Sequence, residues 1–144
     1  MHHILVPILA LYKPDQDEIL LSIRPAGKQL AGYYEFPGGK VEMGETATEA
    51  LCREAFEELD ITLEEANLQK VTFANFRFEE KTYTLLMYFC DAFEGEPIGK
   101  EGQVIEFVPR EKLCDYKMPK MNIELIGPLE DYIYNYNKTL MHTA

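Results

Sequence analysis

Hydrophobic residues cluster at 4–12 (ILVPILALY) and 18–24 (EILLSIR), and the polar stretch KPDQDE at 13–18 between them reads as a turn. Two strands are expected there. Pro7 suits an edge or a bulge, because proline donates nothing to a ladder. Farther along, GYYEF (32–36) and KVEM (40–43) read as short extended pieces flanking Pro37-Gly38-Gly39. LQKVTFANFRF (68–78) and KTYTLLMYFCDAF (81–93) predict a hairpin turned near Glu79-Glu80. QVIEFVP (103–109) predicts a further strand, with a short helix following near 110–115.

The pattern changes to helical spacing over 46–59. Thr46 and Glu49 fit a capping box, and Cys52, Ala55, Phe56 and Leu59 recur as a core-facing stripe. A second helical pattern, 120–136, is interrupted by Gly127-Pro128, which predicts the end of one short helix and the start of another. Strands mixed with two or three helices indicate an α+β protein rather than regular βαβ alternation.

Composition narrows the functional classes. A chain of 144 residues, 47% hydrophobic and 27% charged, is expected to form one soluble domain over 1–144. Its net charge of -11 argues against a direct nucleic-acid binder and against an anionic membrane surface. An anionic small substrate stays open if a metal ion and local cations offset the field. Cys52, Cys90 and Cys114 form neither a zinc spacing nor a disulfide framework, and the apolar N-terminus lacks the marks of a signal peptide. A cytoplasmic monomer is expected, with no metal role for His2 or His3.

Chemistry gathers in EFPGGKVEMGETATEALCREAFEELDI, residues 35–61. At 100° per residue Glu54, Glu57 and Glu58 share a helix face, opposite Cys52 and Phe56, with small Ala47 and Ala50 beside them. Like charges at this spacing repel. A magnesium ion, which seeks carboxylate oxygens, would convert that repulsion into binding. Gly39 offers a backbone carbonyl at close range. The plain structural reading is a solvated acidic face, with Arg53 paired to Glu57.

The order of these residues resembles the signature of the Nudix hydrolases: Gly39, five residues, Glu45, seven residues, then Arg53-Glu54-Ala55-Phe56-Glu57-Glu58-Leu59-Asp60-Ile61. Two positions depart from it: Asp60 replaces a glycine and Ala55 is a small occupant of a hydrophobic slot. The resemblance implies an αβα sandwich on a mixed sheet and water attack on a nucleoside diphosphate derivative. It implies a divalent metal, Mg2+ or Mn2+, held by Glu54, Glu57, Glu58 and the Gly39 carbonyl. Glu54 is the first choice of general base and Glu101 the rival. Arg53 would orient the glutamates and Lys40 would face the phosphates.

LLSIRP, EFPGGKVEMGE, FEGEPIGKEGQ and YKMPKMN extend the likeness to the MutT-type branch, which cleaves oxidised dGTP to the monophosphate and pyrophosphate. That likeness implies that Glu101 reaches the metal site and that Asn122 reads the purine, although asparagine is also a favoured helix N-cap. It also sets Arg24 along the base pocket, with Phe78 and Lys81 bordering the cleft. Other Nudix substrates, such as dinucleoside polyphosphates or ADP-ribose, and a catalytically silent Nudix-fold binding protein are the alternatives.

Overall fold

The computed structural model describes residues 3–143, so His2 lies outside the described residues. The elements are β1 (His3–Lys13), β2 (Glu18–Ile23), β3 (Tyr34–Glu35), α1 (Ala47–Leu59), β4 (Gln69–Phe78), β5 (Lys81–Cys90), β6 (Val104–Pro109) and α2 (Lys120–Thr143). Short 3₁₀ turns at Glu65–Asn67 and Arg110–Asp115 complete them. The strands run in the order β3-β2-β1-β5-β4, with β6 also paired to β2. β1 and β5 are parallel, from His3↔Thr82 to Leu11↔Cys90, and β4 and β5 form the expected antiparallel hairpin. Lys40–Met43 forms no strand; the Val41 N–H donates to the Leu5 carbonyl at 3.1 Å instead.

A helix covers each face of the mixed sheet, giving the αβα arrangement. Ile8, Ala10 and Tyr12 of β1 pack with Met87, Phe89, Leu125, Leu129 and Ile133 on the α2 side. Leu9 and Leu11 pack with Leu51, Ala55, Leu59 and Tyr88 on the α1 side. A strand buried on both faces reads as an unbroken apolar run, which is why 4–12 lacks alternation. Each large side chain so buried contributes about 1.5–3 kcal/mol.

Four expectations are corrected. Pro7 lies in a central strand, not at an edge or bulge, paired in register with Leu86. Its carbonyl accepts from Gly39 N at 3.3 Å, so its nitrogen faces the loop after β3 rather than β5, and no ladder donor is lost. Phe56 is exposed rather than core-facing, with Lys100 Nζ 5.1 Å from its ring centre, whereas Ala50 is fully buried rather than open. The sheet covers only the arc centred on Leu51, Ala55 and Leu59, and Phe56 falls beyond it. Finally, α2 runs through Gly127-Pro128 as one helix. Both residues are on the solvent side, so water can solvate the backbone that Pro128 leaves unpaired, while Leu125, Ile126, Leu129 and Ile133 hold both halves on the sheet.

The start and end of α1 match expectation. Thr46 and Glu49 form the reciprocal capping box, and Asp60 adopts the left-handed conformation, φ 59°, where the signature has glycine. His3 is held in the sheet, with Nε2 2.6 Å from Thr84 Oγ1. Among the described residues no helix is long and apolar enough to cross a membrane.

Candidate active site

A cleft of about 600 Å³ opens between the loop after β3, the end of α1, the loop before β6 and the start of α2. That volume suits a small-molecule ligand. Arg24, Lys40, Glu58, Phe78, Glu101 and Asn122 line it, together with Gly39. Seven of the residues singled out in the sequence therefore meet in one place although they come from distant parts of the chain. Lys81 is not among the lining residues.

The acidic wall is built from α1. Glu58 sits half-buried beside Glu54, and its carboxyl is pushed up to about 8. Burial is the main cause, followed by the hydrogen bond with Glu54 and the charges of Glu54, Glu101 and Glu35. Gly39 lies against the Glu54 carboxyl: a Cβ there would come within 2.4 Å of it. Only glycine allows that approach.

Arg53 organises the remaining glutamates. Its Nε and Nη2 donate to the two oxygens of Glu45 at 2.6 and 3.0 Å. Nη1 reaches Glu54 at 3.0 Å and Glu57 at 3.2 Å, and Nη2 donates to the Lys40 carbonyl at 3.2 Å. The guanidinium hydrogen bond holds the Glu45 carboxyl below its usual range, and Arg53 in turn is held firmly protonated. The expected Arg53–Glu57 pair exists, but as one arm of a network that ties α1 to the loop before it.

That network draws Glu57 outward, leaving its side chain about half exposed and away from the cleft. Accordingly, no group of three His, Cys, Asp or Glu residues is drawn together as a metal cage among the described residues. The donor chemistry nevertheless fits a hard divalent cation. Glu54 hydrogen-bonds Glu58, the charge of Glu101 acts on Glu58 from the facing loop, and a glycine backbone lies against Glu54, so the donors are all oxygens.

The opposite wall carries polar groups of another kind. Asn122 is buried in the first turn of α2, as the third residue of the helix rather than its N-cap, and Oδ1 accepts the Phe36 N–H at 3.2 Å. Arg24 is braced by Glu35 Oε2 and the Gln29 carbonyl, both at 3.2 Å. Phe36, Glu35 and Gln103 went unmarked in the sequence. Phe36 and Glu35 sit inside EFPGGK, but the bonds that matter run to residues far away in the chain.

Comparison with known proteins identifies the family. The NUDIX domain model matches residues 1–131. The 8-oxo-dGTP diphosphatase of Escherichia coli is 34% identical over 85% of this chain and 93% of its own length. The 8-oxo-dGTP diphosphatase of Haemophilus influenzae is 36% identical over 83% and 86% respectively. A MutT structure from work on Aliivibrio salmonicida and Vibrio cholerae superposes with a TM-score of 0.71 at 34% identity, covering 87% of this chain and 94% of that one. Signature, fold, cleft and relatives converge: the chain belongs to the Nudix family, hydrolases that use divalent metal ions.

Proposed function

We propose that this hydrolase converts oxidised dGTP (8-oxo-dGTP) to the monophosphate and pyrophosphate, removing a mutagenic precursor from the nucleotide pool. The observation that carries the reading is one cleft with two chemically distinct ends. Glu58 and Glu101 face a phosphate end, and buried Asn122 faces a base end. The names of the relatives support the same substrate.

Arg24, Lys28 and Lys40 line the cleft and offset the chain's net charge of -11 for an anionic substrate. Glu54, Glu58, Glu101 and the Gly39 carbonyl are the residues proposed to hold Mg2+, with Mn2+ as a substitute, and Glu57 would join them on release from Arg53. When bound, such an ion neutralises phosphate charge and acidifies a coordinated water. Glu54, oriented by Arg53 Nη1, takes the proton of the attacking water on a carboxyl oxygen. Arg53, anchored on Glu45, keeps that carboxyl in place, and Lys40 at the cleft mouth binds phosphate oxygens.

At the base end, oxidation at C8 turns N7 of guanine from acceptor to donor, while O6 stays an acceptor. The Phe36 bond occupies one lone pair of Asn122 Oδ1, leaving the second to accept from N7–H and Nδ2 to donate to O6. Unoxidised guanine presents acceptors at both positions. Phe78 also lines the cleft and is available to the base as an aromatic contact.

A substrate panel with product analysis tests the reading, comparing 8-oxo-dGTP, unoxidised nucleotides, ADP-ribose and diadenosine polyphosphates. Monophosphate and pyrophosphate formed fastest from 8-oxo-dGTP are expected. Faster turnover of ADP-ribose or a dinucleotide would overturn the substrate while leaving the family intact.

A further inference from the structure

An α-helix leaves its last four carbonyls without intrahelical donors. At the end of α1 the loop before β6 supplies donors to two of them. Ile98 N–H donates to the Leu59 carbonyl at 3.0 Å and Lys100 N–H to the Glu58 carbonyl at 2.9 Å. Gln103 Nε2 donates to that same Glu58 carbonyl at 3.0 Å. The other end of the Gln103 amide is engaged as well, with Oε1 accepting the Glu101 N–H at 2.8 Å. One side chain thus ties the backbone of Glu58 to the backbone of Glu101.

Both carboxylates line the cleft, and they come from different elements. They repel, and Glu101 sits on an exposed loop. The Lys100 bond holds the residue before Glu101, and the Gln103 amide holds the Glu101 backbone itself. The tether needs the loop folded tightly on itself. A Cβ at Gly99 would lie 1.9 Å from the Gln103 carbonyl oxygen, so glycine is required there. Gln103 is the residue whose two amide ends match the two groups to be joined, a donor for a carbonyl and an acceptor for an N–H.

We propose that Gln103 is a positioning residue of the hydrolytic site, fixing Glu101 opposite Glu58 and so setting the spacing of the oxygen donors. This rests on the hydrolase reading above, and it goes further by assigning a role to a residue outside the signature. Gln103 acts through Glu101 and not on the substrate's reacting atoms.

The test is Gln103→Met, similar in length but without the amide, examined with Mn2+ alone in the absence of nucleotide. The Glu101 amide should exchange with solvent faster by NMR. Mn2+ affinity, read from the paramagnetic resonance of free Mn2+, should fall about 10- to 100-fold. In a Glu101→Gln background, Gln103→Met should cost less than about twofold more, because the two changes disable one device. Unchanged Mn2+ affinity, or the same loss in both backgrounds, would overturn the proposal. Should Gln103→Met not fold, Gln103→Asn carries the amide but is too short to span both partners, and it gives the same readouts. None of these needs turnover, so they fail independently of the substrate assignment.

Discussion

Replacing Asn122 with alanine separates what the residue does for the fold from what it does for the substrate. In the free protein the side chain is buried and accepts the Phe36 N–H at 3.2 Å. Its removal leaves a backbone donor without its acceptor, a cost of about 1–3 kcal/mol. For 144 residues the unfolding entropy near the midpoint is about 0.3 kcal/mol per kelvin. The melting temperature should therefore fall by roughly 3–10 °C. The same size of penalty governs discrimination. Unoxidised guanine sets N7 against the oxygen of the buried Asn122 side chain, acceptor against acceptor. A cost of about 1–3 kcal/mol corresponds to roughly 5- to 150-fold in kcat/KM between 8-oxo-dGTP and dGTP. Asn122→Ala should bring that ratio close to one. The assay is paired kcat/KM measurement on both nucleotides, well below the variant's melting temperature. A folded Asn122→Ala enzyme that keeps the wild-type ratio would show that the base is read elsewhere and refute the reasoning.

Other predictions draw on different parts of the molecule. Asp60→Gly should melt about 3 °C above Asp60→Ala, because both lose the exposed Lys100 pair and only alanine strains the left-handed φ of 59° at roughly 1 kcal/mol. Thermal scans of the two variants check it, and equal midpoints would contradict it. Asp17 accepts from Arg110 at 2.9 and 2.8 Å and from the Tyr12 hydroxyl at 2.6 Å, which lowers its carboxyl pKa below the ordinary 3.8. A depressed folded pKa stabilises above the unfolded value and loses that stability as pH falls through the folded value. The stability gap between wild type and Asp17→Asn should thus be full at neutral pH and shrink below about pH 4. Denaturant titrations across pH check this, and a gap unchanged at pH 2 would contradict it. Excess EDTA should stop nucleotide hydrolysis and added Mg2+ restore it; activity persisting in the chelator would argue against metal catalysis.

The parts of the structure legible in the sequence are those whose physics is local. The capping box at Thr46 and Glu49, the spacing from Gly39 to Ile61 and the hairpin turn at Glu79-Glu80 each concern residues close in the chain. The left-handed Asp60 follows from its place after the last helical turn. What escaped depends on neighbours that the chain brings in from afar. Phe56 fits the helical stripe by spacing, yet the sheet does not reach it and Lys100 covers it instead. Pro128 carries a strong break signal, outweighed by the apolar residues that pin α2 on both sides of it. Pro7 reads as an edge residue only because its strand neighbours are unknown. In the cleft, Glu101 and Asn122 were found through resemblance. The Phe36–Asn122 bond and the Gln103 bridge had no local signal, because each joins segments far apart in the chain.

The central claim is that the carboxylates of α1 carry out nucleotide hydrolysis, and Glu54→Gln tests it most directly. Pyrophosphate release from 8-oxo-dGTP with Mg2+ is measured for both proteins, beside thermal melting to verify the fold. The account predicts a loss of roughly 10²- to 10⁴-fold with a near-native melting temperature. Wild-type turnover by a folded Glu54→Gln protein would contradict it.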